Sequence, residues 1–171
     1  MATQLLNILN YATKPDASGT VFFEPMSAVY DTAGNIYDHL ICAFLDDGNA
    51  ARFLYGHFKV PEDFVGSPEF EMVWSTDSAT SNSHDFDLGV RVITGDAAET
   101  FNVTTDEEAE NVTDAVAGSL RSRQVATFTG WTVVVFHTGA TCFWRLSRDS
   151  LNDSLASTVW LFELRFKYSD A

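Results

Sequence analysis

The chain has 171 residues, of which 46% are hydrophobic and 20% charged, so it contains enough apolar side chain for one folded core and is not disordered as a whole. Its 24 acidic and 10 basic residues give a net charge of −14, which argues against wrapping nucleic acid and against binding an anionic membrane surface. The sequence has neither the apolar run of a transmembrane helix nor the basic and apolar start of a signal peptide, so we expect synthesis in a cytoplasm without export.

The first 19 residues differ in pattern from the rest of the chain. A small apolar cluster is followed by a polar, turn-rich linker over residues 12–19. Two interpretations are open: an arm that docks on a neighbouring surface, or a terminal segment folded back on its own domain. We divide the chain into an arm (1–19) and a sandwich domain (20–171), and we expect the arm to bind its partner through Leu5, Leu6, Ile8 and Leu9.

From residue 20 onward, short β-branched and aromatic runs alternate with turn residues, which is typical of strands. Residues 20–24, 28–30, 39–45 and 51–60 form the first group. Residues 69–75 and 85–93 alternate with a period of two, and the polar connection between them predicts a long hairpin. A strand over 100–103 and a short helix that begins at Thr105 as N-cap are expected next.

The last part of the chain predicts four more strands, over residues 125–128, 131–136, 142–147 and 158–168. The final strand has apolar residues on both faces, so it is either central to a sandwich or covered by a partner chain. About eight strands with almost no helix predict an all-β, jelly-roll-like two-sheet sandwich, with an immunoglobulin-like sandwich as the alternative.

Residues 96–114 carry seven acidic and no basic side chains. Such a stretch is a solvated surface, a cation site or a face that meets a basic partner. Its carboxylates, and those of Asp149 and Asp153, are ligands of the type that calcium prefers, but neither group follows the EF-hand pattern. Whether a structural calcium is bound therefore stays open, and we expect no cofactor.

Motifs that would indicate an enzyme are absent from the sequence. The four histidines lack the close spacing of zinc ligands, and neither a nucleophile elbow nor a phosphate-binding glycine loop occurs. Paired carboxylates are frequent, as a chain with 24 acids makes inevitable. We therefore predict a protein that is not an enzyme and has no catalytic or metal-binding residues.

Two further groups of residues bear on binding. The four tryptophans are a possible sugar-stacking platform, but each lies beside apolar residues of an alternating strand, which favours the core. A polar loop offers a glycan-binding rim, for which the candidates are Ser78, Thr80, Asn82 and His84. Cys42 and Cys142 both lie in apolar runs, which favours buried free thiols, although a disulfide between them is not excluded.

The connection before the last strand has a structural explanation. Arg145 and Arg148 lie close in sequence to Asp149 and Asp153, and carboxylates there can pair with the arginines or accept backbone N–H groups. These four residues are predicted to form a corner that stabilises the fold, with no catalytic role.

Short motifs in the second half resemble small β-sandwich virion structural proteins of tailed phages. They are a Pro61-Glu62-Asp63-Phe64 entry to a strand, the Arg148-Asp149 and Asp153-Ser154-Leu155 loop, and a closing strand with Glu163-Leu164-Arg165-Phe166-Lys167-Tyr168. The resemblance covers residues 60–168 apart from a variable middle part.

This resemblance implies a non-enzymatic virion component, most concretely a capsid decoration (cement) protein that binds the major capsid protein and stabilises the shell as a homotrimer. Head-fibre and tail-associated proteins belong to the same group, so head and tail positions are both open. The alternative function is a carbohydrate- or receptor-binding module of a fibre or tail.

Overall fold

The computed structural model describes residues 2–9, 12–15, 21–30, 36–44, 52–76, 78–79, 83–95, 107–119, 122–149, 153 and 157–171. For residues 12–15, 21–30, 36–44 and 52 the description covers the backbone. Within these ranges the chain is built from β-strands, with a short 3-10 helix at Val133–Val135. No helix in the described part has the length and hydropathy that a membrane crossing requires.

The described residues form eleven strands. In chain order they are β1 (Thr3–Asn7), β2 (Ala12–Pro15), β3 (Val21–Tyr30), β4 (Ile36–Phe44), β5 (Arg52–Lys59), β6 (Phe64–Thr76), β7 (Ser83–Ile93), β8 (Glu108–Ala115), β9 (Gln124–Phe128), β10 (Thr141–Arg148) and β11 (Val159–Asp170).

The strands make two antiparallel sheets that pack face to face. Sheet A has the order β3-β4-β11-β6-β9, with β1 also paired to β11, and sheet B has the order β2-β5-β10-β7-β8. The strands from β4 onward give β4-β11-β6-β9 and β5-β10-β7-β8, which is the arrangement of a jelly roll. The predicted jelly-roll-like sandwich is therefore confirmed, with β1, β2 and β3 added to the expected eight strands.

The predicted hairpin between residues 69–75 and 85–93 is wrong. Strand β6 lies between β11 and β9 in sheet A, whereas β7 lies between β10 and β8 in sheet B. The polar connection after β6 therefore crosses from one sheet to the other. A period of two shows which face of a strand is buried, but it does not show which strand is the neighbour.

Two local predictions in the second half are also wrong. The helix expected from Thr105 is replaced by β8, whose Glu108 to Ala115 pair with Val90 to Ser83 of β7, and cross-strand pairing here overrides a local capping signal. The strand expected over 131–136 is a 3-10 turn between buried Trp131 and Phe136. The expected strand at 100–103 lies outside the described residues.

The N-terminal segment is part of the sandwich and does not extend away from it as an arm. Strand β1 pairs with the end of β11, from Thr3 opposite Ser169 to Asn7 opposite Arg165, and β2 pairs with β5. Ile8 is fully buried, and Leu6 and Leu9 pack against the core, so these three side chains face their own domain. Leu5 alone of the four predicted partner-binding residues is largely exposed, at 54%.

Leu5 and Leu6 provide a matched test of this position. We expect Leu6→Ala to lower the free energy of unfolding by about 1 kcal/mol, because part of its side chain is removed from the core. The neighbouring Leu5→Ala should change the free energy by less than about 0.5 kcal/mol, as expected for a surface site. Urea unfolding of both variants measures the difference, and equal effects would contradict the strand assignment.

Aromatic rings dominate the space between the sheets. Phe166 of β11 lies 5.0 Å from the ring of Phe58 and 5.1 Å from that of Phe70, both measured between centroids. Trp74, Trp131 and Trp144 are at most 6% exposed, which confirms their assignment to the core, and Trp160 is half-buried. Strand β11 owes its two apolar faces to a central position between β6 on one side and β4 and β1 on the other.

Cys142 is a free thiol that is fully buried in β10, and this burial raises its pKa. Cys42 lies on β4 of the opposite sheet, opposite Phe23 and Leu161 in the pairing register. The prediction of a free, buried thiol is thus confirmed for Cys142.

Candidate functional site

The outer face of sheet B carries aromatic side chains that the core does not use. Leu54, Gly56 and Phe58 of β5 point inward and are buried, so the residues between them point outward. The same alternation in β10 buries Cys142, Trp144 and Leu146 and turns Phe143 and Arg145 outward. We call the resulting surface the aromatic face and define it as Phe53, Tyr55, His57, Arg91, Phe143 and Arg145.

The pairing register determines which of these residues are neighbours. Phe143 on β10 lies between His57 on β5 and Arg91 on β7. In the next outward row, Arg145 lies between Tyr55 and Gly89. The aromatic face is therefore continuous across three strands, with its rings toward β5 and Arg91 on the β7 side.

Ring contacts make this surface a packed layer. The rings of His57 and Phe143 are 5.7 Å apart between centroids, and those of Phe53 and Tyr55 are 6.2 Å apart. The Arg145 guanidinium carbon lies 4.9 Å from the centre of the Phe53 ring, which is cation–π geometry. Tyr55 and Phe143 nevertheless remain 39% and 38% exposed. Large apolar groups that stay this exposed within one patch mark an interaction surface.

Polar residues border the aromatic face on β7 and β8. Asn111 donates through Nδ2 to Asp87 Oδ1 at 2.8 Å, and the Thr113 hydroxyl donates to Asp85. Gly89 and Ala109 are directly opposite each other next to Arg145, so the surface there carries little side-chain bulk. Hydrogen-bonding groups thus lie beside exposed rings, which is the combination that an amphipathic ligand requires.

The two outer faces of the sandwich differ in how their cations are paired. On sheet A, Arg165 contacts Glu163 and Glu71, and Lys167 contacts Glu69 at 2.6 Å. The hydrogen bond to Glu69 raises the pKa of Lys167, so this lysine stays charged and paired. On sheet B, Arg91 is half-buried and its Nε is shielded from solvent without a hydrogen-bond partner among the described residues.

The predicted fold-stabilising corner is present in part. Arg148 donates through Nε to Asp153 Oδ2 at 2.7 Å, and both side chains are 1% exposed. Asp149 contributes through its backbone N–H, which donates to the Asp85 carbonyl at 2.9 Å, and its own carbonyl accepts from the N–H of Asp153 at 3.0 Å. Arg145 lies on the aromatic face.

His84 joins this corner, which corrects its assignment to a glycan-binding rim. Its side chain is fully buried, its Nδ1 lies 2.7 Å from Asp153 Oδ2, and its ring meets the Trp74 ring edge-on at 5.2 Å. A side chain without solvent contact cannot line a surface rim. Ser78 is half-buried and its N–H donates to Thr76 Oγ1 at 3.4 Å, while Thr80 and Asn82 lie outside the described residues.

Ser157, His84 and Asp153 have the order of a catalytic triad, but their hydrogen bonds indicate a structural role. Thr76 uses its only hydroxyl proton to donate to the carbonyl of Thr158 at 2.9 Å. The 2.8 Å contact between Thr76 and Ser157 must then use the proton of Ser157. The serine proton is thus directed away from His84 Nε2, which lies 3.5 Å from Ser157 Oγ, so the serine is not activated as a nucleophile.

The acidic residues form no metal centre within the ranges that the structure describes. No group of three or more His, Cys, Asp or Glu side chains is arranged to hold a metal ion there. Glu108 instead accepts hydrogen bonds from the N–H and the hydroxyl of Thr132, at 2.7 to 3.0 Å. Asp114 accepts from Trp74 Nε1 at 2.8 Å, and its burial raises its pKa.

Comparison with known proteins adds information through structure alone. No family model and no curated protein matches the chain. Among solved structures, a CBM35 domain from Paenibacillus barcinonensis is similar with a TM-score of 0.52 and 11% identity, covering 97% of this chain and 99% of that one.

Two further structures have the same extent of similarity. A CBM35 domain in complex with a disaccharide containing glucuronic acid has a TM-score of 0.51 at 11% identity, covering 98% of this chain and 97% of that one. A cleaved adhesin domain of Lys-gingipain from Porphyromonas gingivalis has a TM-score of 0.50 at 13% identity and covers 99% of both chains. At these identities the likeness concerns the fold: the chain has the two-sheet β-sandwich that these modules and adhesin domains share.

Proposed function

We propose that this protein is a carbohydrate-binding module and that the aromatic face of sheet B is its binding surface. The observation that carries the proposal is the exposure of Tyr55 and Phe143 beside His57, on the one outer face where aromatic rings and polar groups lie together. Sugar rings have apolar C–H faces that stack on aromatic rings and hydroxyl groups that need hydrogen-bond partners. The sandwich fold that the chain shares with carbohydrate-binding modules is compatible with this role.

Phe143→Ala is the direct test. We expect it to weaken binding to a polysaccharide ligand at least tenfold, about 1.4 kcal/mol, because the central ring of the face is lost. The ligand is first found by affinity electrophoresis in gels that contain soluble polysaccharides, together with a glycan array, and the affinity is then measured by calorimetry. Since Phe143 is outside the core, the thermal midpoint should change little.

Val125→Ala is the matched control, because Val125 is also 38% exposed but lies on β9 of sheet A. Its affinity should equal that of the unaltered protein. Two results would contradict the proposal: the absence of any carbohydrate ligand, or a ligand that Phe143→Ala binds with unchanged affinity.

The virion location, the major capsid protein as partner and the homotrimer stay predictions from the sequence resemblance. They are compatible with carbohydrate binding, since a glycan-binding module can be carried by a particle. Light scattering decides the oligomeric state: a mass near three times 18.9 kDa supports the trimer, and a monomer at high concentration contradicts it in free solution.

A further inference from the structure

Arg91 is the residue of the aromatic face whose chemistry is least explained by the fold. It lies on β7 opposite Phe143, outside the core, and contributes no hydrogen bond within the described residues. Its Nε is nevertheless shielded from solvent. A shielded guanidinium nitrogen without a partner is rare in folded proteins, because the lost hydration is not replaced.

The nearest described carboxylates have other partners. Asp87 accepts from Asn111, and Asp85 accepts from Thr113. Glu107, which follows Arg91 in the register between β7 and β8, accepts from the backbone N–H of Val92 at 3.1 Å. None of these acids is recorded as an ion-pair partner of Arg91, in contrast to the paired cations on the outer face of sheet A.

We infer that Arg91 is a specificity-determining residue that selects an anionic saccharide, by receiving a carboxylate or sulfate group while a sugar ring stacks on Phe143. This inference rests on the proposed carbohydrate-binding function. The guanidinium of arginine matches carboxylate and sulfate oxygens through two parallel N–H groups, which lysine cannot do. The register places this fork one strand from the Phe143 ring, within reach of a substituent on a stacked sugar.

The overall charge sharpens this inference. At −14 the protein repels polyanions at long range, so a preference for an acidic polymer cannot come from its net charge. A measured preference must come from local pairing on the aromatic face. It should also survive moderate salt better than a long-range attraction would, because a partly shielded pair is screened less.

The experiment compares two pairs of polymers that differ only in charge. Polygalacturonate is compared with its fully methyl-esterified form, and dextran sulfate with dextran, by calorimetry on the full chain. We expect at least tenfold tighter binding to one or both anionic members, and the pair that shows it identifies carboxylate or sulfate as the group bound. Arg91→Gln should abolish the preference while the affinity for the neutral member changes less than twofold.

Two variants make the result specific. Arg91→Lys keeps the charge but loses the fork, so it should recover less than half of the lost binding free energy. Arg123→Gln removes an exposed cation from the segment before β9 of sheet A and should keep the full preference.

The outcomes separate this inference from the proposed function. Equal binding of neutral and anionic polymers, or a preference that persists in Arg91→Gln, overturns the inference but leaves carbohydrate binding intact. Failure to bind any of the four polymers, with no hit on the glycan array, overturns both.

Discussion

Asp153→Asn is expected to lower the free energy of unfolding by about 3–5 kcal/mol, because it leaves the buried Arg148 guanidinium without a counter-charge. Both side chains are 1% exposed, so water cannot replace the lost partner. The same substitution weakens the contact to His84, whose Nδ1 lies 2.7 Å from the carboxylate. Urea unfolding followed by tryptophan fluorescence measures the loss.

A double-mutant cycle separates this corner from a general effect of substitution. Combining Asp153→Asn with Arg148→Met should cost clearly less than the sum of the two single changes, because the second substitution removes a charge that is already unpaired. Glu62→Gln is the surface control: its contact with Lys59 is 3.8 Å long and both side chains are more than 70% exposed, so we expect almost no effect. If Asp153→Asn has as small an effect as this control, the corner does not stabilise the fold.

Gly56→Ala is expected to lower the free energy of unfolding by about 3 kcal/mol, at the upper end of overpacking effects. A Cβ added to Gly56 would come within 2.2 Å of Cζ2 of the Trp144 indole, which is fully enclosed between the sheets. Neither group can move aside easily, since Gly56 is paired with Trp144 across the two strands. Thermal and urea unfolding both measure the effect.

Gly66→Ala is the matched control, because a Cβ at Gly66 meets no atom within 4 Å. This substitution should be neutral or slightly stabilising, since alanine restricts the unfolded chain. In a Trp144→Leu background, Gly56→Ala should cost less than about 1 kcal/mol, because the obstructing indole is gone. A full-size loss in that background would mean that the strain comes from the backbone of β5.

The aromatic face was visible in the sequence as a pattern but not as a site. Phe53, Tyr55 and His57 alternate with the apolar residues of the same strand, so one of the two sets had to face away from the core. Attention to the tryptophans obscured this signal, since all four lie where apolar neighbours favour burial. An aromatic residue on the polar face of an alternating strand was therefore the better indicator of an exposed platform.

His84 shows the opposite limitation. In the sequence it ends a run of serine, threonine and asparagine, so it was assigned to a polar surface loop. In the structure it is the first inward residue of β7, and Asp153, 69 positions away, reaches it across the core. Burial of a polar residue depends on a partner from a distant part of the chain, and local composition carries no information about that partner.

The order of strong and weak strands, the position of the turns and the face that each strand buries follow from the sequence alone, because side chains on a strand alternate with a fixed period. The sandwich class follows from the number of such strands. Only the tertiary structure decided which strands pair, that residues 3–7 join the last strand, and that Arg91 and Phe143 become neighbours. These features depend on contacts between residues far apart in the chain, which hydrogen bonding and burial select together and no local pattern encodes.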